Sequence, residues 1–288
     1  MNEHTTQYLI YAAIAVTATV AGLSLGGVFD TAVMKPAWNK VLTESALTPS
    51  CNVQIVRLEG SLSTYPNSPS SDPTDPNGGG YDRSIDSETI VSEIETANSS
   101  PEIKAIILQI DSNGGSPVAG EEIANALKRS PKPTVALIRG GGLSAAYWSA
   151  TGADTIIAAA NAEVGSIGVT SSYLDQTKHN SQSGYTWNGI STGEYKDMLN
   201  SNKPLTSKER DIVAHELDII FANFVRTVNE NRHLAIEASS SELTTGVAFI
   251  APEALAKRLI DKIGDKETAR EYLSGALSLP RDQVTFCK

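Results

Sequence analysis

The chain has 288 residues, of which 40% are hydrophobic and 19% are charged, so it can bury the core of one large domain or two small ones. Its formal net charge of −10 has the wrong sign for neutralising phosphates, which argues against nucleic acid as a partner. Two cysteines, Cys51 and Cys287, are too few for a disulfide framework or a four-cysteine zinc site. They can pair with each other in an oxidising compartment or stay as two partly buried thiols.

The first predicted element is an uncharged apolar run at residues 8–29, which follows a polar tail at 1–7. A transmembrane helix needs about 20 such residues, and the run is longer than the apolar region of a usual signal peptide. The tail also lacks Lys and Arg, so we expect a retained membrane anchor rather than a cleaved leader. Lys35 and Lys40 follow the run and, by the positive-inside rule, favour a cytoplasmic location for the domain after it.

A connector at 30–51 leads to the folded domain, predicted at 52–288, which opens with the alternating strand NVQIVRLEG. The segment 61–84 is rich in Ser, Pro, Asp and Gly and predicts a long flexible surface loop. Short apolar strands and helices then alternate, with helices near 86–97, 118–129 and from Ser144, and strands at 104–110, 134–138 and 155–159. This alternation is typical of βαβ units and predicts an α/β domain with buried strands.

The second half of the domain is predicted to be largely helical. A strand is predicted at YTWNGI, residues 185–190, and an amphipathic helix over 207–232. Thr206 and Glu209 have the spacing of a capping box at its start. Two short helices, interrupted at Gly264, are expected to close the chain.

Three glycine-containing turns each follow a predicted strand, which is where α/β folds place ligands and reacting groups. They are DSNGGS (111–116), RGGGLSAAYWSATGAD (139–154) and VGSIGV (164–169). In the second turn, Ser144 is either an exposed nucleophile at a helix start or an ordinary N-cap. Gly114 and Gly115 permit an oxyanion hole, but a tight turn explains the same pair.

A nucleophilic serine needs a base. The four histidines are His4, His179, His215 and His233, and none has a recognisable flanking motif. GGLSAA approximates the nucleophile elbow GxSxG, so a Ser-Asp-His hydrolase using His215 or His233 stays open. A neutral lysine can serve instead, and apolar burial is what favours the neutral form of lysines in general. Lys196, in STGEYKDMLN, is one candidate.

The motifs DSNGGS, GGGLSAAYWSATGAD, AEVGSIGV and GEYKDM followed by PLTSKER resemble, in this order, those of the signal peptide peptidase A / protease IV family. The resemblance covers roughly residues 52–275. It implies a fold of stacked β-α turns like that of ClpP and crotonase proteins, a homo-oligomer, and chemistry without metal or cofactor. One departure is that the family's Ala-Ser-Gly-Gly is Leu-Ser-Ala-Ala here.

The resemblance also assigns roles to residues. It makes Ser144 the nucleophile, Lys196 the base and Ser166 the residue that orients the lysine amine. The oxyanion hole that it implies consists of Gly115, beside Gly114, and the N–H group of Ala145. In relatives the serine and the lysine can come from adjacent subunits, so the dyad forms within one chain or between two.

The expected function is therefore that of a single-pass, membrane-anchored serine endopeptidase that hydrolyses signal-peptide remnants or other peptides. The resemblance places its protease domain outside the cytoplasm, against the weak bias of two lysines. Two further classes stay open: a crotonase-like acyl-CoA enzyme, and a non-catalytic scaffold that binds membrane partners through the 61–84 loop.

Overall fold

The computed structural model describes residues 51–66, 84–238 and 241–287. The predicted tail, the anchor at 8–29 and most of the connector lie outside these residues, as does the middle of the 61–84 loop. The strands are β1 (Val53–Ser63), β2 (Ser84–Asp86), β3 (Ala105–Gly115), β4 (Thr134–Leu143), β5 (Thr155–Ala158), β6 (Glu163–Gly165), β7 (Ala248–Ile250) and β8 (Lys262–Ile263). The α-helices are α1 (Ser87–Ser99), α2 (Pro117–Lys128), α3 (Ala145–Ala150), α4 (Thr177–Gln182), α5 (Ser207–Arg232), α6 (Ala251–Ala256) and α7 (Lys266–Leu277).

These strands form one mixed sheet. Its main path, β2-β1-β3-β4-β5-β8, is parallel throughout, while β6 pairs in parallel with the end of β4 and antiparallel with β7. Because the carboxyl ends of parallel strands share one edge of a sheet, the glycine-rich ends of β3 and β4 meet there. The pairings Ser112 with Gly142 and Leu143 with Gly165 fix their register.

Helices cover both faces of the sheet, which gives three layers. The strand β3 begins AIILQI, and all six residues are buried, as expected of a parallel strand between two helical layers. On one face, α1, α2 and α3 contribute to the larger hydrophobic core. On the other face, Ala269 and Leu273 of α7 pack on Val53, Ile107 and Val135.

The long helix α5 has the bounds predicted from the sequence, and its capping box is present. The side chain of Thr206 accepts a hydrogen bond from Glu209 N at 3.3 Å, and the Glu209 carboxylate accepts one from Thr206 N at 2.9 Å. Lys203 Nζ lies 2.7 Å from the same carboxylate. This ammonium group and the Thr206 N–H lower the pKa of Glu209 to about 2.

Two local predictions are wrong. Residues 185–190 are not a strand: the segment has no regular secondary structure and pairs with no described strand, and Tyr185, Trp187 and Ile190 are exposed. The predicted loop is also shorter than 61–84 at both ends. Residues Ser61 to Ser63 continue β1 and pair with β2, which begins at Ser84.

Cys51 and Cys287 form a disulfide bond that joins residues 236 positions apart. Beside it, Cys287 N donates a hydrogen bond to Val53 O at 2.8 Å, so the C-terminal residues lie along the start of β1. The pairing that the sequence left open is thus present. Within the described ranges, no helix has the length and hydropathy needed to span a membrane.

Candidate active site

Ser144 lies in the turn between β4 and α3 with an unusual backbone conformation. Its φ of +51° is in the left-handed region, which non-glycine residues seldom adopt and which functional sites often contain. Two hydrogen bonds hold it there: Ser144 N donates to Gly165 O at 2.8 Å, and Trp148 N donates to Ser144 O at 2.9 Å. These bonds hold the Ser144 backbone in a conformation that costs energy and persists only where the surrounding structure enforces it.

The Ser144 side chain does not cap the helix that follows it. Although Ser144 occupies the N-cap position of α3, the cap has no side-chain hydrogen bond. In the part of the chain that the structure describes, its hydroxyl has no hydrogen-bond partner at all. An ordinary N-cap serine would bond to the N–H of the third helical residue. The geometry therefore favours the nucleophile over the N-cap interpretation.

The paired glycines Gly114 and Gly115 end β3, and Gly114 lies against the turn that holds Ser144. Gly114 has a φ of +99°, and a Cβ atom added there would meet Leu143 O, Ser144 Cβ and Ala145 N at 2.8 to 2.9 Å. Only a residue without a side chain allows this close approach. The Ser112 hydroxyl accepts a hydrogen bond from Gly114 N at 3.0 Å and holds the turn in place. Gly114 is thus in close contact with Ser144 and with Ala145, one of the predicted oxyanion residues.

Ser166 reaches the same place from β6. Its φ is also +51°, its N–H donates to Val247 O at 3.0 Å, and its hydroxyl donates to Gly246 O at 3.0 Å. Ser144, Gly115, Ala145 and Ser166 all line one cleft of about 800 Å³. Four of the predicted site residues are brought together by the turns at a single sheet edge.

Lys196 is not among the residues that line this cleft. It is exposed and lies in a run of turns, where its N–H donates to Gly193 O at 3.3 Å. The next residue, Asp197, forms an ion pair of 2.9 Å with Lys203, which in turn binds Glu209. This pair fastens the Lys196 turn to the start of α5. The role of Lys196 as the base stays a prediction.

The three histidines that the structure describes are also absent from the lining of the cleft. His215 lies on α5 and His233 ends that helix in a left-handed conformation, but neither lines the cleft around Ser144. His179 is exposed on α4. Within the described residues, the geometry gives no support to a Ser-Asp-His hydrolase.

The walls of the cleft include residues that the sequence did not single out as functional. Trp148 and Phe224 stack with ring centroids 4.6 Å apart and are nearly fully buried. Leu217, Asp218 and Phe221 continue the wall along α5, and residues 244–246 form another side. The sequence predicted only that this helix is amphipathic, and no signal distinguished the residues that line a site.

A model of one protein family matches the chain, under the description "Peptidase family S49", over residues 126–279. This match includes more than half of the 288 residues. The chain belongs to peptidase family S49. The resemblance drawn from the four motifs is thereby confirmed.

Several proteins similar in sequence to this chain have names that describe them as proteases or peptidases. The chain is 31% identical over 182 residues to a putative protease of Synechocystis, covering 62% of this chain and 65% of that one. It is 27% identical over 184 residues to a putative protease of Methanocaldococcus jannaschii, covering 63% and 59%. It is 24% identical to a putative signal peptide peptidase SppA of Enterococcus faecium, covering 65% and 55%. The match thus spans less than two thirds of the length of each of these relatives.

Among solved structures, a ClpP1 mutant from Listeria monocytogenes aligns with a TM-score of 0.46 at 14% sequence identity. The alignment covers 73% of this chain and 91% of that one. The α/β class predicted from the sequence is confirmed by the strands and helices themselves.

Proposed function

We propose that this protein is a serine endopeptidase in which Ser144 is the nucleophile and Lys196 is the general base. The observation that carries the proposal is the conformation of Ser144, whose φ of +51° is in the left-handed region and whose hydroxyl has no partner among the described residues. In this chain of family S49, Ser144 lies in a cleft that it shares with Gly115, Ala145 and Ser166. Such a hydroxyl is free to attack a carbonyl group placed in the cleft.

In the proposed reaction, the neutral amine of Lys196 takes the proton of Ser144 Oγ as the oxygen attacks the peptide carbonyl carbon. The N–H groups of Gly115 and Ala145 stabilise the oxyanion of the tetrahedral intermediate. The intermediate collapses as the lysine returns the proton to the leaving amine, which leaves an acyl ester on Ser144. Water activated by the same lysine then hydrolyses the ester.

We further propose that Lys196 acts on Ser144 of a neighbouring subunit. The supporting observation is that the region that includes Lys196 exposes several large apolar side chains: Leu174, Tyr185, Trp187, Ile190 and Tyr195. Exposed apolar surface of this kind is typical of an interaction surface. A second copy that covers it would carry Lys196 to the cleft.

Complementation between two inactive variants tests both parts of this mechanism. Ser144→Ala and Lys196→Ala are each expected to lose peptide hydrolysis. Ser144→Ala should also lose labelling by a serine-directed phosphonate, and Lys196→Ala should slow it, because the phosphonate reacts with a base-activated hydroxyl. If the dyad spans two subunits, a 1:1 mixture reassembled from subunits regains about one quarter of the parental activity, because a quarter of interfaces combine both intact residues. A mixture without activity would assign the dyad to one chain. Full activity of either single variant would refute the Ser144–Lys196 dyad itself.

We also propose that residues 8–29 anchor the protein in a membrane, with the protease domain on the extracytoplasmic side, where it degrades signal-peptide remnants or other peptides. The disulfide between Cys51 and Cys287 supports this side, because such bonds persist in oxidising compartments. Alkylation of the unreduced protein in cells with a maleimide reagent tests it. Modification of either cysteine would contradict the proposed location.

A further inference from the structure

The cleft that holds Ser144 contains one charge. Among the described residues that line it, Asp218 alone has a charged side chain. Asp218 is exposed on α5 and has no ion pair or hydrogen bond with any other described residue. A carboxylate left without a partner beside a recess lined by aromatic rings is available to a ligand.

The wall of the cleft changes from apolar to acidic along α5. Phe224 is 2% exposed and stacks on Trp148, which lies one turn after the nucleophile in α3. Phe221 and Leu217 follow towards the start of α5, and both are half-buried. Phe224 lies six positions after Asp218 in α5, which at the rise of an α-helix is about 9 Å. The apolar end of the wall therefore lies beside Trp148, and its acidic end lies about 9 Å farther along α5.

An extended peptide matches this spacing. Side chains on one side of a strand are two residues, or about 6.6 Å, apart. The flexible stem of a lysine or arginine spans the remaining distance while its methylene groups lie along an apolar wall. An apolar side chain packed on the half-buried Leu217 and Phe221, beside the Trp148–Phe224 stack, thus places a cation two residues away within reach of Asp218.

We propose that Asp218 is a specificity residue that selects peptides with Lys or Arg two positions from the apolar residue bound in the cleft. The proposal rests on the proposed peptidase function, since it concerns the same cleft. Signal peptides have the required composition, because their basic amino-terminal region adjoins an apolar one. The recognised sequence would lie at the junction of these two regions.

The net charge of −10 attracts any cationic peptide, so the local effect of Asp218 needs a matched control. Glu216 supplies it. This residue is exposed on the same helix but does not line the cleft. Glu216→Gln removes the same charge as Asp218→Asn, and the difference between the two variants isolates the contact in the cleft.

Binding can be measured without hydrolysis in a Ser144→Ala background of the full chain. The probes are fluorescein-labelled peptides that contain Lys-Ala-Leu-Ala or Leu-Ala-Lys-Ala, each paired with a peptide in which Glu replaces Lys. For at least one of the two sequences, the peptide with Lys is expected to bind about fivefold more tightly than the matching peptide with Glu. Asp218→Asn should reduce this preference to about twofold or less, while Glu216→Gln should keep it. Asp218→Lys should reverse it.

Equal Lys-to-Glu preference in the Ser144→Ala protein with and without Asp218→Asn would overturn the proposal, and so would the absence of binding by all four peptides. The peptidase function is judged separately, by hydrolysis and phosphonate labelling of the parent. A parent that hydrolyses peptides but shows no effect of Asp218 refutes only the specificity role. A parent without hydrolysis whose Ser144→Ala form keeps the Asp218-dependent preference refutes only the catalytic proposal.

Discussion

The substitution Gly114→Ala tests whether the close contact between the two glycine turns positions the nucleophile. The added Cβ would lie 2.8 to 2.9 Å from Leu143 O, Ser144 Cβ and Ala145 N, whereas ordinary contact begins at 3.4 Å. All three atoms belong to the nucleophile turn, two of them to its backbone, so the turn must move by about 0.5 Å. The φ of +99° adds strain that alanine cannot relieve.

We expect this shift to lower kcat/KM for peptide hydrolysis by about tenfold to hundredfold, because small misplacements of reacting atoms are costly. The free energy of unfolding should fall by about 1–3 kcal/mol. Urea denaturation measures the second quantity, and the rate of phosphonate labelling of Ser144 measures the nucleophile without a substrate.

The matched control is Gly275→Ala. Gly275 lies within α7, and a Cβ there would meet nothing within 4 Å. Alanine in a helix stabilises by up to about 1 kcal/mol relative to glycine, and labelling should stay at the parental rate. If folded Gly114→Ala protein is labelled as fast as the parent, the contact does not position Ser144.

Three other changes have expected outcomes. Replacing Cys51 and Cys287 by serine opens a loop of 236 residues and should lower the unfolding free energy by about 2–5 kcal/mol in urea, an effect that reductant reproduces in the parent but not in the variant. Because the folded pKa of Glu209, about 2, is below its ordinary value of 4.5, its carboxylate stabilises the fold above pH 4.5, and the effect is lost as pH falls through 2. The stability difference between parent and Glu209→Gln should therefore shrink over this range; a constant difference would exclude the linkage. Phe224→Ala should cost about 3–5 kcal/mol through loss of the Trp148 stack, whereas Ile219→Ala, 51% exposed, should stay within about 0.5 kcal/mol.

Local signals in the sequence were sufficient for much of the fold. The capping box of Thr206 and Glu209 fixes a helix start through residues three positions apart, so it can be read without tertiary information. The apolar run of β3 likewise indicates a strand buried on both faces. The ordered motifs predicted Ser144, Gly115, Ala145 and Ser166, which meet because parallel strands end at one edge.

Long-range contacts explain what the sequence did not predict. An alternating run such as 185–190 becomes a strand only where another edge is available for pairing, and no described strand pairs with it. The Trp148–Phe224 stack and the bond from Ser166 to Gly246, 80 residues away, join segments whose proximity only the folded chain reveals. Lys196 is a separate case, because it was named from its motif but does not line the cleft of its own chain. The proposed partner of its amine is Ser144 of another subunit.

The bond between Cys51 and Cys287 encloses every element of the sheet in one covalent circle. A cut at any single exposed peptide bond between them opens the circle but releases no fragment. If neighbouring subunits of a peptidase nick the exposed 185–200 segment, both pieces stay attached and keep their packing. Such damage would be invisible on a gel run without reductant and would appear as two bands once the disulfide is reduced.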